Sequence, residues 1–398
     1  MMATGSAIRT PALPPLLASM LLLGGANSVL FAVMPPAGRR LGLVEWQIGL
    51  IVAVSAAAYV ISAAAWGRFS DLRGRRPVIV IGMAGFGLGG LAFAVALDAG
   101  LAGTAQPMLA LVLLIAARVG QSLASGGVFP ATQAHFAENA PPERRAVALS
   151  AVTSAFALGN VLGPAVAGLL VTISITLPLY LVAVLGLCAA AWSGLAMKQT
   201  PPAGGADAPR LSPRDPRVVA WLAVAAVYFV SVAGTLQVLG FTLQDRLALD
   251  ASATAGMASW LFMLMGIVAV LFQLAVVRRS GWPARTLMAV GLAASAVAQV
   301  GFLVADLPWQ FLAIALPLGI SFSCVAPGFS AAVSLAVGAA EQGAAAGLVA
   351  AAQAAGFLVG PVLLAVLYRM SSTLPFLLGL VIALLLLLFV LSHRRSAA

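Results

Sequence analysis

Charge is scarce in this sequence. Of 398 residues, 8% are Asp, Glu, Lys or Arg and 62% are apolar, too little charge for the surface of a soluble domain of this size. Cysteine is nearly absent as well: Cys188 and Cys324 each sit in an apolar run, without the spacing of a disulfide framework or a metal site. The two histidines, His135 and His393, fall at span ends, so no His, Cys and carboxylate cluster is available for a catalytic metal. No nucleophile and base constellation is visible either, which argues against an enzyme. What the chain has instead is long uncharged runs. A helical span needs about 20 apolar residues, and the stretches 10–38, 46–67, 77–97, 218–244, 251–277, 286–305, 342–368 and 370–393 contain no Asp, Glu, Lys or Arg. Residues 99–137 are interrupted only by Arg118, residues 307–340 hold one further helix, and 146–197 is long enough for two, with a break near Thr172 to Pro178. Twelve spans are expected. Barrel strands would alternate polar and apolar residues, whereas Leu380 to Leu391 is apolar on every side.

The formal charge of +10 is a matter of topology rather than of nucleic acid. With the N-terminus cytoplasmic, sixteen basic residues fall on that side: Arg9, Arg68, Arg73, Arg75, Arg76, Arg144, Arg145, Lys198, Arg210, Arg214, Arg217, Arg278, Arg279, Arg285, Arg394 and Arg395. Only Arg39, Arg40, Arg246 and Arg369 fall opposite, and Arg118 alone lies within a span. That asymmetry predicts an inner-membrane protein with both termini in the cytoplasm. The first segment, roughly Pro14 to Met34, is too long and too closely followed by a second span to be a cleaved signal.

The chain reads as two copies of one plan. Residues 199–215 are rich in Pro, Gly and Ala and describe a cytoplasmic linker between a six-span half, 1–198, and a second, 216–398. Arg40-Leu41-Gly42-Leu43 returns as Arg246-Leu247-Ala248-Leu249, and Gly159-x-x-x-Gly163-Pro164 returns as Gly356-x-x-x-Gly360-Pro361. Six spans restore the starting side, so the halves share one orientation, a transporter layout.

Between the second and third spans stands Gly67-Arg68-Phe69-Ser70-Asp71-Leu72-Arg73-Gly74-Arg75-Arg76-Pro77. Gly67 suits a close helix approach, Gly74 a tight turn, and Pro77 the first turn of the next helix. The segment resembles the signature loop of the major facilitator superfamily, and the twelve spans, the linker and the repeat extend that resemblance over the whole chain. The resemblance implies an all-α membrane fold of twelve helices in two six-helix pseudo-repeat halves. It also implies a cytoplasmic gate of Gly67, Asp71, Arg73, Gly74, Arg75 and Arg76, in which the aspartate contacts basic loop residues and the start of the eleventh span near Gln342. Which arginine answers Asp71 is open, because the base usually next to the aspartate is replaced by Leu72. Topological anchoring is the plainer reading of the same arginines. In the second half, Arg278-Arg279-Ser280-Gly281-Trp282-Pro283 keeps the bases and the turn without an aspartate.

Arg118 lies about twelve residues into the fourth span, near the membrane midplane by helical rise. A central arginine costs roughly 2.5–3.5 kcal/mol on insertion scales and normally faces a protein interior or a wet cavity. Gln121, Ser122 and Ser125 follow on the same helical face, so a polar stripe lining a cavity is expected; a structural arginine holding backbone carbonyls is the alternative. The resemblance extends to this motif, which ends in Gly126 and Gly127, and implies a role in coupling. In the fifth span, Gly159, Gly163, Pro164 and Gly168 resemble the antiporter signature of the family, which implies a bend or a packing seam and export against protons; ordinary small-residue packing is the alternative. Asn27, Phe31, Tyr228, Gln353 and Phe357 complete the candidate cavity, the aromatic residues being equally suited to helix packing.

Acidic residues are absent from every span centre. Glu45, Asp98, Asp245, Asp250 and Asp306 lie at external ends, and Asp71, Glu138, Glu143, Asp207, Asp215 and Glu341 at cytoplasmic ends. Where related drug exporters carry an acid in the first span, this chain has Asn27. A cavity with Arg118 and no carboxylate favours an anionic or zwitterionic molecule over a cation. The expectation is therefore a monomeric secondary transporter, without a cofactor beyond a proton gradient, that exports a small amphipathic organic compound. Its partners are that substrate and the bilayer, with no nucleic acid. Import of an organic anion and a non-transporting sensor are the other readings.

Overall fold

A computed structural model describes residues 13–141, 144–198, 211–338 and 341–392. Among them the chain is helical, in the order α1 (Leu13–Arg40), α2 (Glu45–Arg73), α3 (Arg75–Leu101), α4 (Pro107–Ser125), α5 (Val128–Asn139), α6 (Arg145–Leu170), α7 (Leu177–Ala196), α8 (Val219–Leu247), α9 (Ala251–Phe272), a π-turn (Gln273–Val277), α10 (Arg278–Ser280), α11 (Ala284–Val304), α12 (Pro308–Leu335), α13 (Gln342–Met370) and α14 (Leu374–Ser392). Twelve of these segments are long and apolar enough to cross a membrane, with α4 and α5 forming one span and α9 to α10 another. A helix pairs its backbone N–H and C=O groups within itself, the condition for crossing lipid. Of the linker 199–215, residues 199–210 lie outside the described residues.

Two boundaries differ from the sequence reading. The first span continues beyond Met34 through Pro35 and Pro36 to Arg40. Those prolines fit because Gly240 of α8 lies against them: a β-carbon there would lie 2.7 Å from Cβ of Pro35. The fourth span is not one helix but two, broken at Gly126 and Gly127. A β-carbon on Gly126 would meet the Ser62 hydroxyl and lie 2.9 Å from the Tyr59 carbonyl oxygen, and one on Gly127 would meet Trp66. Helix α2 therefore presses on the joint, and Trp66 Nε1 donates to the Leu123 carbonyl beside it (2.7 Å).

Packing divides the chain into two compact units. The first gathers the described residues within Met1–Leu30, Ala58–Gly163 and Thr176–Gly205; the second gathers Phe31–Ala57, Pro164–Ile175 and Ala206–Ala398. Helix α6 passes from one to the other between Gly163 and Pro164. The core of the first unit is built on Met20, Ile79, Met83, Phe86 and Val128, and that of the second on Tyr228, Phe229, Met288, Leu292 and Phe329.

The internal repeat is written into the backbone. Gly42 (φ 77°) and Ala248 (φ 52°) take positive φ at repeat-equivalent helix ends, as do Gly74 (φ 85°) and Gly281 (φ 60°) in the turns after α2 and α10. Ala248 is the one non-glycine residue of this kind among the described residues. A left-handed L-residue costs roughly 1–2 kcal/mol, of which glycine returns roughly 0.5–1 kcal/mol through its freer unfolded chain. Ala248→Gly should therefore raise stability by up to about 1 kcal/mol, and Gly42→Ala should lower it; thermal unfolding of the purified protein checks both.

Candidate functional site

The setting of Arg118 begins with two glycines. Gly89 and Gly90 of α3 leave room for Gln121 of α4, whose Cβ would lie 2.6 Å from a β-carbon on Gly89 and whose Nε2 would lie 3.1 Å from one on Gly90. Gln121 is buried, and its Nε2 donates to the Phe86 carbonyl at 2.9 Å. That bond fixes which end of the amide is the oxygen, and Gln121 Oε1 accepts from Arg118 Nη1 at 2.5 Å. Arg118 also stands 6.0 Å from the Phe93 ring centroid, within the range of a weak cation–π contact. Its Nε is shielded from solvent and has no partner. Beside it lies a small cavity, about 20 Å³ as space for water centres, walled by Ala26, Val29 and Leu30 of α1, Gly90 and Phe93 of α3, and Leu179 and Val182 of α7. No Asp or Glu is among the buried side chains of the described residues. The single cation of the span centres thus has an amide and a ring for company, and no counter-charge.

The rest of the expected stripe is placed differently. Ser122 and Ser125 are buried at helix contacts rather than lining this cavity. Ser125 Oγ donates to the Gln121 carbonyl within its own helix (2.8 Å), and the Ser122 carbonyl accepts from Ser62 of α2 (3.3 Å). A helical face is wide enough that residues four and seven positions on from Arg118 meet different neighbours. Asn27 is exposed and Gln353 half-buried; neither lines the cavity. Tyr228 is buried and shares a 2.8 Å hydrogen bond with Ser321, a packing role. Phe31 and Phe357 do meet, with centroids 6.2 Å apart, and Phe357 continues to Phe229 at 5.9 Å.

The turn between α2 and α3 is Gly74 alone. Arg75 answers Asp71: Nη1 reaches Asp71 Oδ1 at 2.7 Å and Ser70 Oγ at 2.8 Å, while Nη2 reaches Glu138 Oε1 of α5 at 2.8 Å. Arg76 donates to the Gly194 carbonyl of α7 (2.5 Å), and Arg73 is exposed. Gly67 does not mediate a close approach, since nothing lies within 4 Å of where its β-carbon would be.

The close approaches fall elsewhere. Gly159 and Gly163 of α6 lie on α1: a β-carbon on Gly163 would lie 2.5 Å from the Gly25 Cα, and one on Gly159 would lie 2.9 Å from the Gly25 nitrogen. Gly356 and Gly360 of α13 lie on α8 in the same manner, the latter 3.0 Å by its β-carbon from the Gly234 nitrogen. Both copies of the motif are seams of backbone on backbone. Pro164 and Pro361 sit inside their helices one residue after Gly163 and Gly360, and Gly168 packs more loosely, 3.3 Å by its β-carbon from Cβ of Ser259.

One cluster was not foreseen. At the C-terminal ends of α1 and α8, Arg39 reaches Asp245 through Nη1 (2.5 Å) and Nη2 (3.0 Å), and Glu45 through Nη2 (2.7 Å). Its guanidinium lies 4.8 Å from the Phe241 centroid, and Tyr368 of α13 donates to Asp245 Oδ2 at 2.8 Å. Arg39 and Asp245 are 206 residues apart, the offset between Arg40 and Arg246, so the two positions that clasp are repeat equivalents. On the loops at the other helix ends, Arg217 holds Asp215 (2.8 Å) and Glu341 (2.9 Å). Hydrogen bonds from Arg217 keep both carboxyls below their usual range. That contribution is present at neutral pH and is lost as pH falls through the lowered values.

The family model of the Major Facilitator Superfamily matches residues 16–282 and 225–398. The chain belongs to the Major Facilitator Superfamily. As a member of that superfamily it is a membrane transporter acting on a small molecule, not an enzyme. It is 23% identical over 379 residues to the quinolone resistance protein NorA of Staphylococcus aureus, covering 92% of each chain. It is also 31% identical over 137 residues to a triacylglyceride transporter of Mycobacteroides abscessus, covering 34% of this chain. The match spans about a quarter (24%) of that relative's length. Among solved structures, the nucleoside transporter NupG superposes with a TM-score of 0.75 at 14% identity, over 98% of this chain and 100% of that one. The human organic anion transporter MFSD10 superposes with a TM-score of 0.66 at 18% identity, over 96% and 99%. These two share the superfamily fold.

Proposed function

We propose that this protein exports small amphipathic organic compounds that are anionic or zwitterionic. It works by alternating access, driven by a proton gradient, in the inner membrane with both termini cytoplasmic. The observation that carries the reading is the isolation of Arg118, a cation beside a cavity with an unpartnered Nε and no buried carboxylate among the described residues. In a site of low dielectric such a charge attracts an anion and repels a cation. The full-length similarity to a quinolone resistance protein supports export, and quinolones, which carry both a carboxylate and an amine, are the cargo chemistry this arginine suits. With no acid at the span centres, the proton is carried by a carboxylate at a helix end. Asp245, in the Arg39 clasp, and Glu138, held by Arg75, are the two candidates. The loop from Gly67 to Arg76 serves as the cytoplasmic gate, with Asp71 and Arg75 as its ion pair.

Inverted membrane vesicles test this directly. With an acid interior, they should accumulate a zwitterionic quinolone, and a protonophore should abolish the accumulation. Accumulation only in right-side-out vesicles would make the protein an importer, and none in either orientation would make it a sensor.

A further inference from the structure

We propose that the cavity beside Arg118 is a binding site for one small monovalent anion, either a halide or a single carboxylate head. It is a counter-ion seat within the first compact unit, partly open at one side. A guanidinium offers five N–H donors. One is used by Gln121, and the buried Nε–H has no acceptor. Gln121 cannot turn to offer a second acceptor, because its amide nitrogen is held by the Phe86 carbonyl. The remaining walls, including Val29, Leu30, Phe93, Leu179 and Val182, are apolar and supply no lone pair. A half-buried charge whose shielded Nε–H has no acceptor carries an unpaid desolvation cost, and an exchangeable anion removes that cost with the donors already in place.

Size and charge limit the occupant. About 20 Å³ of space for water centres exceeds the roughly 10–15 Å³ that one water requires, which admits a chloride ion or the head of a carboxylate. One guanidinium neutralises one charge, so a divalent anion would arrive with a charge uncompensated. The inference deepens the reading of Arg118 as the cargo-charge residue, since a cargo carboxylate and a halide would compete for the same seat. Its test, however, needs neither cargo nor transport.

The purified protein in neutral detergent is unfolded thermally at low ionic strength and then with rising chloride or formate, the Arg118→Gln variant in the same salts serving to subtract the effect of ionic strength. Binding to the folded state alone raises the folding constant by a factor of one plus the ratio of ligand to Kd, about 100-fold at 100 times Kd. The expected result is a saturable rise in midpoint with chloride, formate or both. It should be lost in Arg118→Gln and kept in weaker form in Arg118→Lys, which retains the charge without the fork. A rise with formate alone assigns the seat to a cargo carboxylate, and a rise with chloride alone assigns it to a resident halide. No saturable rise with either anion, or an equal rise in Arg118→Gln, would overturn the proposal and leave a water in the cavity. Saturable binding in a protein that moves nothing in vesicles would sink the export reading while the site stands. Transport without any anion effect would do the reverse.

Discussion

Arg118→Met should abolish transport while leaving the protein folded and inserted. Two magnitudes decide why. The substitution removes one charge-assisted hydrogen bond to Gln121, worth roughly 1.5–3 kcal/mol. It also removes a central charge whose insertion costs roughly 2.5–3.5 kcal/mol. These offset each other, so the thermal midpoint should move little. The cargo has no such compensation: losing a desolvated charge partner costs roughly 2–5 kcal/mol, a fall in transport of about 30-fold or more by the same principle of tenfold per 1.4 kcal/mol. Expression, midpoint and initial rate measured on one preparation separate the outcomes. Normal transport would remove Arg118 from the pathway, and loss of transport together with loss of folded protein would make it a structural residue.

The second large effect is on assembly. Gly163→Leu forces a side chain into the space already filled by the α1 backbone at Gly25, where even a β-carbon would stand 2.5 Å from a Cα. Overpacking a core by a methylene or more costs typically 1–3 kcal/mol. Here the obstacle is backbone, which cannot rotate away, and association of membrane helices depends on this kind of small-residue contact. The folded yield in detergent should fall sharply, by about 3 kcal/mol or more on that scale. Gly120→Leu, at a position with nothing within 4 Å, should be tolerated and serves as the control for hydrophobicity alone. Equal loss in both variants would show that the seam is not the cause.

Much of this fold was legible because lipid enforces a simple pattern: uncharged runs of span length give helices. The shared Arg-Leu-x-Leu pattern was legible too, whereas the positive φ that Gly42 and Ala248 share within it was not. Contacts between helices were not. Gly67 reads as a close-packing glycine and faces open space, while Gly24, Gly25, Gly89 and Gly90 give no motif signal and lie against neighbouring helices. A glycine announces that an approach is possible, and only the third dimension says whether a neighbour uses it. Ser122 and Ser125 share the helical period of Arg118 but meet other partners: the Ser122 carbonyl takes the Ser62 hydroxyl of α2, and Ser125 turns back onto the Gln121 carbonyl of its own helix. The Arg39 clasp had one hint in the sequence: opposite charges at positions 206 residues apart, which the repeat makes equivalent. Reading that hint requires knowing that equivalent helix ends meet.

The most direct test of the central claim, that a lone half-buried arginine selects the charge of the cargo, uses two compounds of one amphipathic scaffold, one with a carboxylate and one with an amine in its place. Their initial rates of uptake into energised inverted vesicles are compared for the native protein and for Arg118→Met. The account predicts that the native protein favours the carboxylate by at least about tenfold, equivalent to 1.4 kcal/mol, and that the preference disappears in the variant. Equal rates, or faster uptake of the amine by the native protein, would contradict it.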